Sequence, residues 1–172
     1  MQQVDAMKSM VNDFSNFARP PQSKPQMMSI GQLIGDIADL YQGQVRHLNT
    51  AIDDHLPSTF ADPIRLRQVL INLIKNAQEA IADIDGGQIN ISARYQEDTD
   101  SIQICIADNG PGVDNSDIER IFEPYATTKE KGTGLGLAIV KKIIEEHGGT
   151  IIIKPITPQG ANFIIQLPVT NP

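Results

Sequence analysis

A glycine-rich run that leads directly into a helical pattern constrains the fold of this chain more than any other feature. Glycine occupies positions 132, 134 and 136, and residues 135–147 predict a helix that ends at Gly148-Gly149. Backbone amides at such a helix N-terminus form an anion site. The spacing lacks the GxxxxGK(S/T) of a Walker loop. It is not the dinucleotide-binding GxGxxG either, because position 137 is Leu and no predicted strand leads in.

The chain from Ser29 onward shows the patterns of helices and strands. Ser29 and Gln32 form a candidate capping box for a helix to about Gln44, and Asp62-Pro63 is a start signal for a helix to about Asp83. Because helices and strands are grouped and do not strictly alternate, we expect an α+β fold, a two-layer sandwich with an antiparallel or mixed sheet. Strands are predicted near 48–53, 88–95, 101–107, 150–154 and 161–167.

Composition excludes several classes of function. The chain has 172 residues, enough for one domain and a short appendage, and its formal net charge of −7 disfavours a broad nucleic-acid surface. Cys105 is the single cysteine, so neither an internal disulfide nor a CxxC site is available, which fits a reducing compartment. Since there is no signal-peptide pattern and no run of roughly 18 apolar residues, we expect a cytoplasmic chain.

The first 28 residues differ from the rest. Residues 1–19 predict one amphipathic helix with nothing in its own segment to pack on, so we expect it to pack on a partner; the alternative is a frayed terminus. Prolines at positions 20, 21 and 25 indicate that residues 20–28 are a linker, followed by a domain of residues 29–170. The apolar stripe of the helix consists of Val4, Met7, Met10, Val11, Phe14 and Phe17.

Two asparagines stand out on the predicted helix of residues 63–83. Asn72 and Asn76 lie four residues apart and therefore on one helical strip. Asparagine is a poor residue in the middle of a helix, whereas its amide oxygen suits a Mg²⁺ ion held between protein and phosphates. The alternative is a pair of solvent-facing or cap-bonding asparagines.

Asp108 begins a turn, Asp108-Asn109-Gly110-Pro111-Gly112, where an apolar strand ends. A carboxylate that leaves a strand can point into a pocket and accept a hydrogen bond from an exocyclic amine. The two glycines permit a tight turn and the close approach of a planar ring. The alternative is an ordinary surface turn, because Asn-Gly and Pro-Gly are common turn pairs.

A polar segment lies between this turn and the glycine-rich run. It contains Phe122-Glu123-Pro124-Tyr125-Ala126-Thr127-Thr128-Lys129, preceded by a short helical turn at residues 117–121. Its length and polarity are typical of a mobile lid over a ligand, and Lys129 could reach a phosphate as a point charge. The alternative is a plain surface loop.

Taken in this order, the asparagine pair, the Asp108 turn, the lid and the glycine-rich run resemble the Asn, first glycine, phenylalanine and second glycine boxes of histidine kinases. These belong to the superfamily that includes gyrase, Hsp90 and MutL, and the resemblance covers about residues 29–168. It implies ATP held under a lid, with Asn76 as Mg²⁺ ligand and Asp108 reading the adenine amine. It implies catalytic roles for Asn76 and Lys129 and nucleotide contacts from Asn72, Asn76, Asp108, Gly110, Gly112, Val113, Ile121, Phe122, Tyr125, Thr128, Lys129, Gly132, Thr133, Gly134, Leu135, Gly136 and Leu137.

The wording of the lid and glycine boxes is similar to nitrogen-regulation sensor kinases of the NtrY type. In such kinases the first helix resembles the second helix of the dimerisation and phosphotransfer domain. His47, His55 and His147 are followed by Leu48, Leu56 and Gly148, so none fits the phosphoacceptor motif of His followed by an acidic residue. The resemblance therefore implies a phosphoacceptor domain and a response regulator as partners and a parent anchored in the inner membrane. The apolar stripe of the first helix predicts a homodimer through residues 4–17; the alternatives are packing on the catalytic domain itself and fraying.

Two alternatives to a kinase catalytic domain remain. Hydrolytic relatives place a general-base glutamate four residues before the Mg²⁺ asparagine, but here that residue is Asn72, which cannot take a proton from water. A hydrolase is therefore disfavoured. A nucleotide-binding module without catalysis is disfavoured because all four boxes are intact.

Overall fold

In this computed structural model the protein is described over residues 22–43, 45, 47–114, 116–118, 120–127 and 133–170. The helix predicted for residues 1–19 lies outside these ranges, as do positions 128–132 of the lid and glycine-rich run. The domain predicted for residues 29–170 lies almost entirely within them.

Three helices and seven strands make up the described fold. Two of the α-helices start where the sequence provides a cap: the Ser29 hydroxyl accepts from the Gln32 amide, and the Asp62 carboxylate accepts from the Ile64 and Arg65 amides. The helices are α1 (Ile30–Tyr41), α2 (Pro63–Ala80) and α3 (Gly136–Glu146). The strands are β1 (Gln26–Met28), β2 (Leu48–Ile52), β3 (Thr59–Ala61), β4 (Ile89–Gln96), β5 (Ser101–Asp108), β6 (Thr150–Pro155) and β7 (Ala161–Pro168).

Five of the strands form one mixed sheet in the order β2-β4-β5-β7-β6. Strands β2 and β4 are parallel because β3 and α2 form the connection between them, and every other pair in this sheet is antiparallel. The register places Asp108, the last residue of β5, between Ile89 of β4 and Ala161 of β7. A candidate binding residue therefore lies at the end of the central strand.

The helices cover one face of this sheet. Along β5, Ile102, Ile104 and Ile106 are buried while Gln103 and Cys105 are half-buried, which is the alternation that the sequence predicts for a strand with one covered face. The α+β two-layer sandwich is therefore confirmed. The helices bury their apolar stripes in the shared core with Ile30, Leu33, Ile34 and Ile37 of α1, Leu66, Val69, Leu70, Leu73, Ile74 and Ala77 of α2, and Ile139, Val140, Ile143 and Ile144 of α3.

Two features differ from the sequence prediction. Helix α1 ends at Tyr41, before the predicted Gln44, and Gly43 follows it with a φ of +85°. Strands β1 and β3 pair as a separate two-stranded antiparallel sheet, so residues 26–28 of the predicted linker are strand. Runs of three residues are too short to show the alternation by which a strand is recognised.

Asp62 connects three parts of the fold. Its buried carboxylate caps α2 and also accepts from the Lys24 amide at 2.7 Å, which ties the chain that enters the domain to this helix. Its own amide donates to His147 Nε2 at 3.1 Å, at the C-terminal end of α3. The buried Arg65, one turn into α2, forms an ion pair with Glu146 beside it. The start of α2 and the end of α3 are thus held together by polar contacts.

Among the residues that the structure describes, none of the helices has the length and apolar character required to cross a membrane.

We predict that Asp62→Ala lowers the free energy of unfolding by about 1–3 kcal/mol near neutral pH, because it removes a helix cap and leaves the Lys24 amide without its acceptor. Burial raises the pKa of Asp62, but the hydrogen bonds from Lys24, Arg65, Ile64 and Ser23 outweigh it and hold the pKa below its usual value of 3.8. The stabilisation is therefore present above that value and lost as the pH falls through the lowered pKa.

Urea unfolding of both proteins across acidic and neutral pH tests this. The exposed Asp83→Ala is the control and should change stability by less than about 0.5 kcal/mol. A gap between wild type and Asp62→Ala that widened on acidification would contradict the prediction.

Candidate nucleotide-binding site

One strip of helix α2 joins the two ends of the candidate site. Asn72, Asn76 and Ala80 succeed one another at intervals of four residues and span ~12 Å along the helix. At one end, the Asn72 amide donates a long hydrogen bond of 3.5 Å to the carbonyl of Gly136, the first residue of α3. At the other end, Ala80 lies against Gly110. Asn76, half-buried, lies between the glycine-rich run and the Asp108 turn.

The Asp108 carboxylate is buried, with 4% of the residue exposed. Its Oδ1 accepts from the Gly110 amide at 2.9 Å, which makes the residues after β5 an Asx turn. Burial raises the pKa of Asp108, and the hydrogen bonds from the Gly110 and Ala161 amides offset only part of that increase. A buried carboxyl with a raised pKa at the end of a strand is typical of a binding site.

Three glycines allow the backbone to pack closely around this carboxyl. A Cβ on Gly110 would lie 2.9 Å from both the Ala80 Cβ and the Asp108 Oδ1. Gly112 has a φ of +82°, and a Cβ there would lie 2.9 Å from the carbonyl oxygen of Gly160. Gly160, in the β6–β7 turn, in turn lies against the carbonyl of Asp108. Larger residues at these positions would displace the backbone around the Asp108 carboxyl.

The end of the glycine-rich run is anchored in the core. Leu135 is 1% exposed, and its amide donates to the Thr133 hydroxyl at 3.3 Å. Helix α3 begins at the next residue, and in the described part of the chain no side chain caps its first turn. The half-buried Gly136 and Leu137 lie in that turn. The first-turn amides of α3 therefore form a candidate anion site, and Asn72 of α2 lies beside it.

Phe122 attaches the predicted lid to the sheet. Its ring packs edge-on against Phe163 of β7, with the ring centroids 6.3 Å apart, and Ile121 and Val113 pack against the same core. Tyr125, 60% exposed, has a φ of +67°, and its amide donates to the Gly134 carbonyl at 2.9 Å. The described start of the lid thus contacts the glycine-rich run.

The sequence-predicted residues fall into two groups. In the first group, the structure places Asn72 beside Gly136, Gly110 beside Asp108 and Ala80, Gly112 beside Gly160, and Gly134 beside Tyr125, while α2 carries Asn76 between Asn72 and Ala80. Thr133 accepts from the buried Leu135, and Val113, Ile121, Phe122 and Leu137 pack against the core. Thr128, Lys129 and Gly132 lie outside the described residues, so their roles stay predictions. Asn109 and Gly160 are not among the site residues predicted from the sequence. Their tertiary contacts show that both pack beside Asp108.

We predict opposite effects for two glycine-to-alanine substitutions. Gly134 has a φ of +66°, and a Cβ there would lie 2.6 Å from the Tyr125 carbonyl carbon, so Gly134→Ala should cost about 1–3 kcal/mol and free the Tyr125 amide to exchange. Gly35→Ala in α1 meets no atom within 4 Å and should stabilise the protein by about 0.5–1 kcal/mol.

Urea unfolding and hydrogen exchange of the Tyr125 amide measure both effects. A Gly134→Ala protein as stable as wild type, with the Tyr125 amide equally protected, would show that the close contact is unimportant.

Comparisons with known proteins agree with this arrangement. A family model described as "Histidine kinase-, DNA gyrase B-, and HSP90-like ATPase" matches residues 61–171. The sensor histidine kinase ZraS of Escherichia coli O157:H7 is 36% identical over 171 residues, covering 97% of this chain and 36% of ZraS. The nitrogen regulation protein NtrY of Azorhizobium caulinodans is 40% identical over 176 residues, covering 97% of this chain and 22% of NtrY. The chain thus spans only about a fifth to a third of the length of these relatives.

Solved structures show the same fold. Full-length ShkA in complex with AMPPNP matches with a TM-score of 0.87 at 30% identity, covering 99% of this chain and 37% of ShkA. The resemblance to sensor histidine kinases, including the nitrogen-regulation type, is confirmed by these matches. The chain belongs to the histidine kinase-, DNA gyrase B- and HSP90-like ATPase family.

Proposed function

We propose that this chain binds Mg-ATP in the site described above and transfers the γ-phosphoryl group to a histidine on a separate domain. The observation that carries the proposal is the strip of α2. On this helix, Asn76 lies between Ala80, which contacts the turn of the buried Asp108, and Asn72, which contacts Gly136 at the start of α3. One helix thus aligns the proposed base site, metal ligand and phosphate site.

The pocket around Asp108 fits an adenine base. Gly110 and Gly112 let the backbone pack closely around the carboxyl without a clashing Cβ, and an ionised carboxyl accepts from the exocyclic amine of adenine. Guanine presents a carbonyl at that position, which would leave two acceptors facing each other. The pocket therefore favours ATP over GTP.

The other end of the strip fits phosphates. The α3 N-terminus supplies amides and a positive helix-dipole end, and Gly134 lets the chain turn closely beside it. The amide oxygens of Asn76 and Asn72 are neutral hard donors of the kind that Mg²⁺ accepts. When bound there, Mg²⁺ would compensate the charge of the phosphates. Lys129 and Thr128 of the lid are proposed to contact the same phosphates.

The phosphoacceptor must come from outside the described fold. His147 uses both ring nitrogens, because Nε2 accepts from the Asp62 amide and Nδ1, 2.7 Å from the Ile143 carbonyl, therefore carries the proton. It also lies at the opposite end of α3 from the glycine-rich run. His47 and His55 are exposed and lack the acceptor motif. We propose the phosphoacceptor domain of a parent kinase as the partner, a response regulator reached through that parent, and pairing of two chains through residues 4–17.

Transfer is favoured over hydrolysis because of Asn72. Its amide donates to the Gly136 carbonyl and has no basic group with which to activate water. Catalysis would then rest on positioning and on charge compensation at the phosphates. Steady phosphate release without an acceptor would favour the hydrolase, and nucleotide binding with neither reaction would favour a module without catalysis.

We predict that Asp108→Asn lowers ATP affinity by about 10- to 150-fold without lowering GTP affinity, because it removes the charged acceptor for the adenine amine and supplies an amide that can donate to the guanine carbonyl. Since burial raises the pKa of Asp108, wild-type ATP affinity should decline on acidification at a higher pH than an ordinary aspartate would require, and the variant should lack this decline. Calorimetry at several pH values measures both effects. The exposed Asp85→Asn is the control, and equal wild-type affinity for ATP and GTP would sink the base assignment.

We predict that Asn76→Ala slows phosphoryl transfer to a supplied phosphoacceptor domain by at least about 100-fold, while ATP affinity without Mg²⁺ changes by less than about 10-fold. The base pocket does not use this side chain, whereas metal placement does. Labelled ATP with and without Mg²⁺ measures the two quantities, and Lys75→Ala, an exposed neighbour on α2, is the control. Transfer by Asn76→Ala at the wild-type rate would refute the metal-ligand role.

A further inference from the structure

The Asn109 side chain forms hydrogen bonds with the loop before β4, directly after the backbone pairing of β5 ends. The last pairs of β5 join Asp108 to Ile89 and to Ala161. One residue further, the Gln88 amide donates to Asn109 Oδ1 at 2.8 Å, and Asn109 Nδ2 donates to the Gly86 carbonyl at 3.0 Å. The side-chain amide thus forms a two-point contact with the loop before β4, in place of the backbone pairing that the Asx turn cannot make.

This contact ties the Asp108 turn to helix α2. The Gly87 amide donates to the Ile84 carbonyl, the Ile84 amide donates to Ile81, and the Ile81 amide donates to Ala77 in the last turn of α2. The loop that Asn109 holds is therefore a continuation of the helix that carries Asn72 and Asn76. Asn109 therefore links the Asp108 turn to that helix, in addition to the contact of Gly110 with Ala80.

The opposite side of the turn is held as well. Gln159 Nε2, in the β6–β7 turn, donates to the Asn109 carbonyl at 3.2 Å, and Gly160 packs against the Asp108 carbonyl. With the backbone held on both sides, the Gly110 amide that donates to Asp108 Oδ1 has a fixed position. The direction of the carboxyl is thereby set.

We propose, on the basis of the nucleotide site proposed above, that Asn109 is a positioning residue for base selection and sets the preference for adenine over guanine through Asp108. The contacts with the Gln88 amide and the Gly86 carbonyl require one acceptor and one donor from a single side chain. Asparagine supplies both, whereas aspartate would place an oxygen against the Gly86 carbonyl. Both contacts are near solvent, so water can replace them after substitution and the fold does not depend on them.

The test measures the ratio of ATP to GTP affinity by calorimetry for wild type, Asn109→Ala and Asn109→Asp. The ratio should fall by about 5-fold or more in Asn109→Ala, because the carboxyl loses its fixed direction. Asn109→Asp should also lower it, and it provides the test if Asn109→Ala does not fold. The control is Asn49→Ala, which removes a comparable exposed bond from Asn49 Nδ2 to Asn90 Oδ1 at 3.0 Å and should leave the ratio unchanged.

Thermal midpoints separate positioning from stability. Asn109→Ala and Asn49→Ala should lower the midpoint by similar amounts, while only Asn109→Ala lowers the ratio. If Asn109→Ala keeps the wild-type ratio, or loses ATP and GTP affinity by the same factor, the positioning role is overturned. If wild type itself binds ATP and GTP equally, the proposed function fails and the positioning role fails with it.

Discussion

The burial of helix α2 against the sheet determines where the candidate site can form. Leu73 and Ile74 are fully buried, so the rotation of this helix about its axis is fixed by the apolar core. Asn72 and Asn76 follow on the adjacent strip and are brought beside the start of α3. Asparagines in the middle of a helix are unfavourable because their side chains compete for backbone hydrogen bonds. Here the buried apolar face of α2 fixes the orientation of the helix, so that Asn72 contacts Gly136 at the end of the glycine-rich run.

The site is built mainly from backbone. Gly110 packs on Ala80 and Asp108, and Gly112 packs on Gly160, more closely than side chains would allow. The Asp108 carboxyl accepts backbone amides, while its burial raises its pKa. Burial of a carboxyl carries a desolvation penalty that these amides offset only in part, and such a group is typical of a binding site. The polar contacts at the other end of the helices, among Asp62, Arg65, Glu146 and His147, hold α2 and α3 in register. These contacts therefore fix the position of α3, whose start is the proposed phosphate site, relative to α2.

The same geometry bears on the choice between kinase and hydrolase. The position from which hydrolytic relatives activate water is occupied by Asn72, which is engaged with Gly136. His147, the histidine nearest to the proposed phosphate helix in sequence, is used as a structural link between α3 and Asp62. With an amide at this position and no histidine that fits the phosphoacceptor motif, the described part of the chain is suited to act on a separate partner, which is the function proposed for this chain.

The sequence by itself determined the three α-helices, the five strands of the large sheet, the α+β class and the family, because helix periodicity, caps and the glycine boxes depend on residues that are close along the chain. Asp62-Pro63 and the alternation in β5 predicted their elements to within a few residues. Only the tertiary structure decided that Asn109 reaches residues 86–88, that Gly160 packs on Asp108 and that His147 accepts from Asp62. These contacts join residues from about 20 to 85 positions apart, and strands β1 and β3 pair across a similar distance. Such contacts leave no local pattern, because their geometry is set by how the buried faces of the helices and the sheet pack together.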